Sequence, residues 1–260
     1  MTIRLLTLVG APITTLEPFF QHYAGLGVSY FDVYVHEKNV LEHVSRIARS
    51  YSDVSITPVS GDWLTVQLSV LETMKEHPDD WFLLADQDEF QLYPQDVAEI
   101  LAEADRRGFD SIGGCLVDRV AEDGSLRALD PGKSIWAQYP VAAFLTFPVC
   151  RGNFRKVVAA KGSVRLTNSG HHEAVTGTPY PIEEMLIEVH HFKWIEGVIE
   201  YLLSRKSPES PFGEMVQQEG LRFVDYFRKN NNRIALEDPE LLAGPGESVS
   251  SRLRALLQYQ

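Results

Sequence analysis

The stretch Trp81-Phe82-Leu83-Leu84-Ala85-Asp86-Gln87-Asp88-Glu89-Phe90 passes from five consecutive apolar residues straight into an acidic run. A short unbroken apolar run closed by polar residues is the pattern of a strand buried on both faces, as in a parallel sheet. Two aspartates one residue apart in an extended turn send their carboxylates to the same side. Hard divalent cations take oxygen ligands, and at a phosphate they use one or two carboxylates plus phosphate oxygens. Asp86 and Asp88 therefore read as an anchor for a metal and a diphosphate. The competing reading of the same residues is a solvated acidic turn.

Upstream of this stretch, strands and helices alternate. Residues 3–9 form an apolar strand that ends at Gly10-Ala11-Pro12. Thr14 or Thr15 then caps a helix, with Glu17 in its first turn and Pro18 early enough to be tolerated. Leu16, Phe19, Phe20 and Tyr23 share its apolar face, and Gly25 and Gly27 end it. Residues 30–36 and 54–58 read as strands around a helix over 41–51. Asp62 caps a helix on which Trp63, Val66, Val70 and Met74 line up, and Pro78 closes it. Downstream, Pro94 opens a helix that ends at Gly108, and a fifth strand covers 109–117. This rhythm predicts an α/β fold: a Rossmann-type mixed, mostly parallel sheet flanked by helices. Ligands bind outside the carboxyl ends of strands in such sheets, which is where Asp86 and Asp88 stand.

The second half is less regular. A hairpin is expected over 156–160 and 164–167 around Gly162, and a strand over 185–192. Helices are expected over 195–205 and 212–229, and another after the Gly-Pro-Gly of residues 244–246. The resulting division is a catalytic domain over 1–206 and a helical C-terminal extension over 207–260.

Composition bounds the function. With 44% hydrophobic residues in 260, the chain buries a sizeable core. Its net charge of −12 argues against a nucleic-acid partner and against docking on an anionic membrane. An acidic protein that binds a polyphosphate must reverse its field locally, and a divalent metal does so. Cys115 and Cys150 lack metal-type spacing and read as reduced core thiols. No apolar run is long enough to cross a bilayer. These features lead us to expect a cytoplasmic protein without a transmembrane segment.

The acidic stretch resembles the D-x-D-E-F segment of family-2-like glycosyltransferases with the GT-A fold. Leu16-Glu17-Pro18-Phe19-Phe20-Gln21-His22-Tyr23, followed by Gly25-Leu26-Gly27-Val28, resembles that group's E-W-x-x-Y-H-x-x-L-G-V helix. Asp32-Val33-Tyr34-Val35-His36 stands where the family has its second strand. Trp63 and Gln67 resemble a W-x-x-x-Q pair, and Val189-His190-His191-Phe192-Lys193-Trp194 resembles a late H-Y/F motif. The likeness spans about residues 1–200. It departs where the family has Asn-Glu after the first strand and this chain has Gly10-Ala11-Pro12, and again where the late motif carries two adjacent histidines.

The resemblance implies transfer of a sugar, with inversion, from a nucleotide-sugar donor, commonly UDP-linked, to a glycan, lipid or small-molecule acceptor. It implies Mn²⁺ or Mg²⁺ bridging the aspartates and the donor diphosphate. Asp86 and Asp88 become the metal-side carboxylates, with Asp88 the direct ligand and Glu89 orienting a ligand or the donor sugar. His191 becomes a third metal ligand. His190 faces the opposite side of the strand, so only one of the two points at a given site. Trp63, Gln67, Lys156, His190 and Lys193 are candidate donor-binding residues. His171 and His172 contact donor or acceptor, or merely decorate a loop. Asp118 and Glu173 are candidates for the general base. Nucleotidyl transfer is the alternative, although no Arg or Lys follows Gly10 before Lys38 to form a basic phosphate loop. A metal-dependent hydrolase, a non-catalytic nucleotide-sugar-binding relative and a protein working through its helical tail complete the set.

Overall fold

A computed structural model describes residues 2–167, 171–205, 213–243 and 247–258. The Gly-Pro-Gly break, the start of the extension at 207 and the helix start at 212 lie outside the described residues. The first elements are β1 (Ile3–Val9), α1 (Leu16–Gly25), β2 (Tyr30–Val35), α2 (Lys38–Ala48), β3 (Val54–Pro58), α3 (Trp63–Glu72) and β4 (Trp81–Leu84). Next come β5 (Glu89–Leu92), α4 (Val97–Arg107), β6 (Ser111–Val120), α5 (Ile135–Gln138), β7 (Val141–Ala143), β8 (Arg155–Lys161) and β9 (Ile187–His191). Three helices follow: α6 (Val198–Ser204), α7 (Glu214–Lys229) and α8 (Val249–Leu257).

The chain forms two compact units, each discontinuous in sequence. Met1–Gly114 and Arg155–Val189 make the first, and Cys115–Phe154 and His190–Gln260 make the second. The chain passes from one unit to the other within β6 and within β9. The boundary expected at 206/207 falls inside the second unit's range.

The first unit is mixed α/β. Its strand path runs β3, β2, β1, β4, β8, β6, β9, β5, with β6 and β9 entering through their first residues. β3, β2, β1 and β4 are mutually parallel, with Leu5 opposite Phe31 on one side and Leu83 on the other. All four residues of β4 are buried, as the apolar run predicts. α1 buries Leu16, Phe19, Phe20 and Tyr23, each worth about 1.5–3 kcal/mol if fully buried. Asp62 caps α3 by accepting from the Thr65 amide at 3.0 Å. Gly108 ends α4 with φ 78°, in the left-handed region that favours glycine.

Order reverses between β1 and β4. β2 and β3 lie on one side of β1 and β4 on the other, so the α1 and α3 connections leave in opposite directions. Such a reversal opens a crevice at the carboxyl ends of the two strands. β4 then pairs with β8, antiparallel, with Phe82 opposite Ala160. Of the expected hairpin only β8 is a strand; residues 164–167 contribute an isolated bridge between Leu166 and Ala174. Gly162 has no alternative there, because a Cβ would stand 2.2 Å from the His77 carbonyl oxygen.

The second unit adds β7 to the later part of β6, antiparallel, with Asp118 opposite Ala143. Its core joins Trp194, Leu202, Phe223, Val224, Phe227 and Ile234. The Trp194 and Phe223 rings lie 3.9 Å apart between centroids. α7 thus belongs to this core. Among the described residues no helix is long and apolar enough to cross a membrane. Cys115 and Cys150 are both free and buried.

Candidate functional site

β4 delivers the chain to the crevice, and Asp86-Gln87-Asp88 turns it into β5. The turn closes with the Glu89 amide donating to the Asp86 carbonyl at 2.9 Å. The connection between β1 and α1 pins it. Thr15 heads α1 but makes no side-chain cap bond; its hydroxyl instead donates to the Gln87 carbonyl at 3.0 Å. The Gln87 amide donates to the carbonyls of Gly10, at 2.9 Å, and Pro12. On the far side, Gln91 donates to the Leu84 carbonyl at 2.7 Å and Tyr23 to the Glu89 carbonyl at 3.1 Å. The middle residue of Asp-x-Asp is thus a staple, a role that spacing alone does not reveal.

Charge converges on this turn. Lys156, on β8 and only 3% exposed, puts its ammonium 3.0 Å from Asp86 Oδ2 and 2.9 Å from Glu89 Oε1. Asp86 is more open, at 37% side-chain exposure, and Glu89 is buried. Burial pushes the Asp86 carboxyl up, but Lys156 and then His171 outweigh it and hold it well below the usual carboxylate range. Burial likewise opposes the Lys156 charge, and Asp86 and Glu89 outweigh it, raising the ammonium above its ordinary value. A buried triad of this kind is held by mutual attraction against desolvation, so removing one member leaves an uncompensated charge.

His171 approaches from a turn that sequence reading left open between a ligand contact and loop decoration. Its backbone has φ 46°, uncommon for a non-glycine residue. Its Nδ1 lies 3.1 Å from the Val157 carbonyl oxygen, which only accepts, so Nδ1 carries the proton. Nε2 is then the nitrogen left facing Asp86 Oδ1, 3.9 Å away, for a shared proton or for a cation. One ligand atom each from Asp86, Glu89 and His171 lies within 4.8 Å of the others. Oxygen and imidazole donors in this mixture suit Mn²⁺, Mg²⁺ or Zn²⁺. A recess of about 20 Å³ beside Asp86 and His171, lined mainly by the apolar Leu6, Leu8, Val70, Leu71, Leu84 and Ala85, has room for one water or ion. The residues present therefore fit a cation. Neighbouring His172 bonds to the Arg155 carbonyl; burial, then the Lys156 charge, takes its pKa down to about 3 and keeps it neutral.

Trp63 and Gln67 stand on α3 at the same crevice. The Trp63 ring lies 3.2 Å from where a Cβ on Gly10 would be and packs edge-on to His36, so this ring takes the space that a side chain at position 10 would need. Asp88 is half-buried on the acidic turn. Glu173 is exposed.

The remaining candidates belong to the second unit, where they form their own cluster. Asp118, 1% exposed, accepts from the Leu145 and Thr146 amides at 2.8 Å each and from the Thr146 hydroxyl at 3.0 Å. It also accepts from Trp194 Nε1 at 2.7 Å and from His191 Nδ1 at 3.1 Å. Burial pushes its carboxyl up, but His191 and the other donors hold it below the usual range. A carboxylate engaged by five donors orients His191 and has little capacity left to take a substrate proton. His190 is buried with its ring edge-on to Trp136, and Lys193 lies 5.3 Å over the Trp194 ring. The structure therefore brings together Asp86, Glu89 and Lys156 and adds His171. It groups Asp118 with His191 separately.

No protein-family model matches the chain. No curated protein matches it either. Solved structures show distant likeness. HddC from Yersinia pseudotuberculosis is 13% identical over 51% of this chain and 66% of its own, with a TM-score of 0.34. The 4-diphosphocytidyl-2C-methyl-D-erythritol synthase from Anaerococcus prevotii is 13% identical over 87% and 96%, at 0.36. Residues 1–349 of S. aureus TarS are 9% identical over 92% and 77%, at 0.39. Likeness at this level carries no argument about activity.

Proposed function

We propose that this chain is a transferase that moves a sugar from a nucleotide-diphosphate donor, UDP-linked, to a hydroxyl of a glycan, lipid or small molecule. One observation carries the reading: Asp86, Glu89, Lys156 and His171 converge at the carboxyl end of β4, beside the reversal of strand order. Asp86, Glu89 and His171 would hold the Mn²⁺ or Mg²⁺, with Asp88 as a further carboxylate of the turn. When bound, the ion supplies Lewis-acid charge to the leaving diphosphate. Lys156 contributes a fixed positive charge beneath the acidic turn. Gln87 and Thr15 keep the turn in one geometry, which is the positioning that group transfer needs. Trp63 and Gln67 flank the donor from α3. Nucleotidyl transfer is disfavoured by the absence of any Arg or Lys between Gly10 and Lys38.

Calorimetry of UDP and GDP, with and without Mn²⁺, tests the proposal. UDP binding is expected to require Mn²⁺. Asp86→Ala is expected to weaken it by at least about 10-fold, the loss that even an outer partner of a metal ligand gives. Absence of binding by either nucleotide under all conditions would reduce the acidic segment to a structural turn.

A further inference from the structure

Lys156 stands where a metal site has least use for a lysine. Its ammonium sits between two of the three groups that would hold the cation, within hydrogen-bonding distance of both Asp86 and Glu89. A divalent ion entering here meets two carboxylates already shared with a resident positive charge. These two carboxylates and the ammonium carry one net negative charge and Asp88 on the same turn adds another, so Lys156 takes up one of the negative charges that would otherwise balance the ion. A diphosphate supplies the missing negative charge.

There is nevertheless a seat for the ion. Lys156 engages Oδ2 of Asp86, while Oδ1 looks toward His171 Nε2, beside the small recess. The two faces of one carboxylate thus serve two cations, one permanent and one exchangeable. We propose that Lys156 is a resident counter-cation that prevents a divalent ion from binding alone, so that metal and nucleotide diphosphate enter the site only together. This deepens the transferase reading and rests on it.

The test is Mn²⁺ calorimetry without nucleotide on the wild type, Lys156→Met and Lys156→Arg. The Met variant is expected to bind Mn²⁺ at least about 10-fold more tightly than the wild type, because a neighbouring like charge has been removed. The Arg variant, which keeps the charge, is expected to stay weak. Lys156→Met removes the ammonium 2.9 Å from the buried Glu89, so thermal melts run in parallel. Mn²⁺ alone should raise the melting temperature of the Met variant and leave the wild type unmoved until UDP is added. Equal Mn²⁺ affinity in the wild type and the Met variant overturns the proposal. So does tight binding of Mn²⁺ alone by the wild type, a result that stands even if the Met variant does not fold. Failure of the wild type to bind UDP with any metal instead sinks the transferase reading, whatever Mn²⁺ does to the Met variant.

Discussion

Cys150 lies in the apolar core of the second unit, where burial pushes its thiol up to about 12, and Cys115 is fully buried. The thiolate is the reactive form, so burial keeps Cys150 in its unreactive, protonated form at pH 8. A thiol reagent is expected to label neither cysteine until denaturant is added; rapid labelling in native buffer would contradict the packing. Asp118 gives a prediction in pH. Its folded pKa is depressed, so its contribution to stability is complete above the unfolded value of about 3.9 and is lost as pH falls through the folded value. Asp118→Asn should lower stability at pH 7 by about 3 kcal/mol. Urea midpoints should also show that the variant loses less than the wild type between pH 7 and pH 3. Both residues stood out in the sequence, as did Asp86, Glu89 and Lys156. His171 was noticed without a role, because its contact with Asp86 depends on β8 offering the Val157 carbonyl to its ring.

Helix α1 has an N-terminus that serves the acidic turn before itself. Thr15→Ala removes the bond to the Gln87 carbonyl and costs about 1 kcal/mol. Because no cap bond is lost within the helix, α1 should keep its helicity while UDP–Mn²⁺ binding weakens. Circular dichroism together with calorimetry separates the two, and a loss of helix with unchanged binding would refute this role. The longer helices were readable because their burial repeats over nine or more residues, and β4 because it is a wholly apolar run. β5, β7 and α5 are only three or four residues long and give no period to count. Residues 164–167 have the composition of a strand, yet they bridge to Ala174 at a single point. Tertiary pairing, which local propensity does not record, decided that outcome.

The C-terminal third shares a core with residues before position 206. A change of texture near residue 206 suggests an appendage, but α7 buries Phe223, Val224 and Phe227 with Trp194. Ending the chain at residue 206 is therefore expected to expose that core, forfeiting roughly 1.5–3 kcal/mol for each of these side chains. Limited proteolysis and near-ultraviolet dichroism of the shortened protein check this. A truncated chain as protease-resistant as the parent would restore the appendage view. The antiparallel partnership of β4 and β8 also has a consequence in time. Leu84 precedes Lys161 by 77 positions, so the ribosome makes the acidic turn and its strand well before the partner that covers its edge. At about 5–20 residues per second, the apolar edge of β4 waits several seconds for β8. During that interval it is open to any other strand in the cell, and the nascent chain is a client for chaperones before it can bind any ligand.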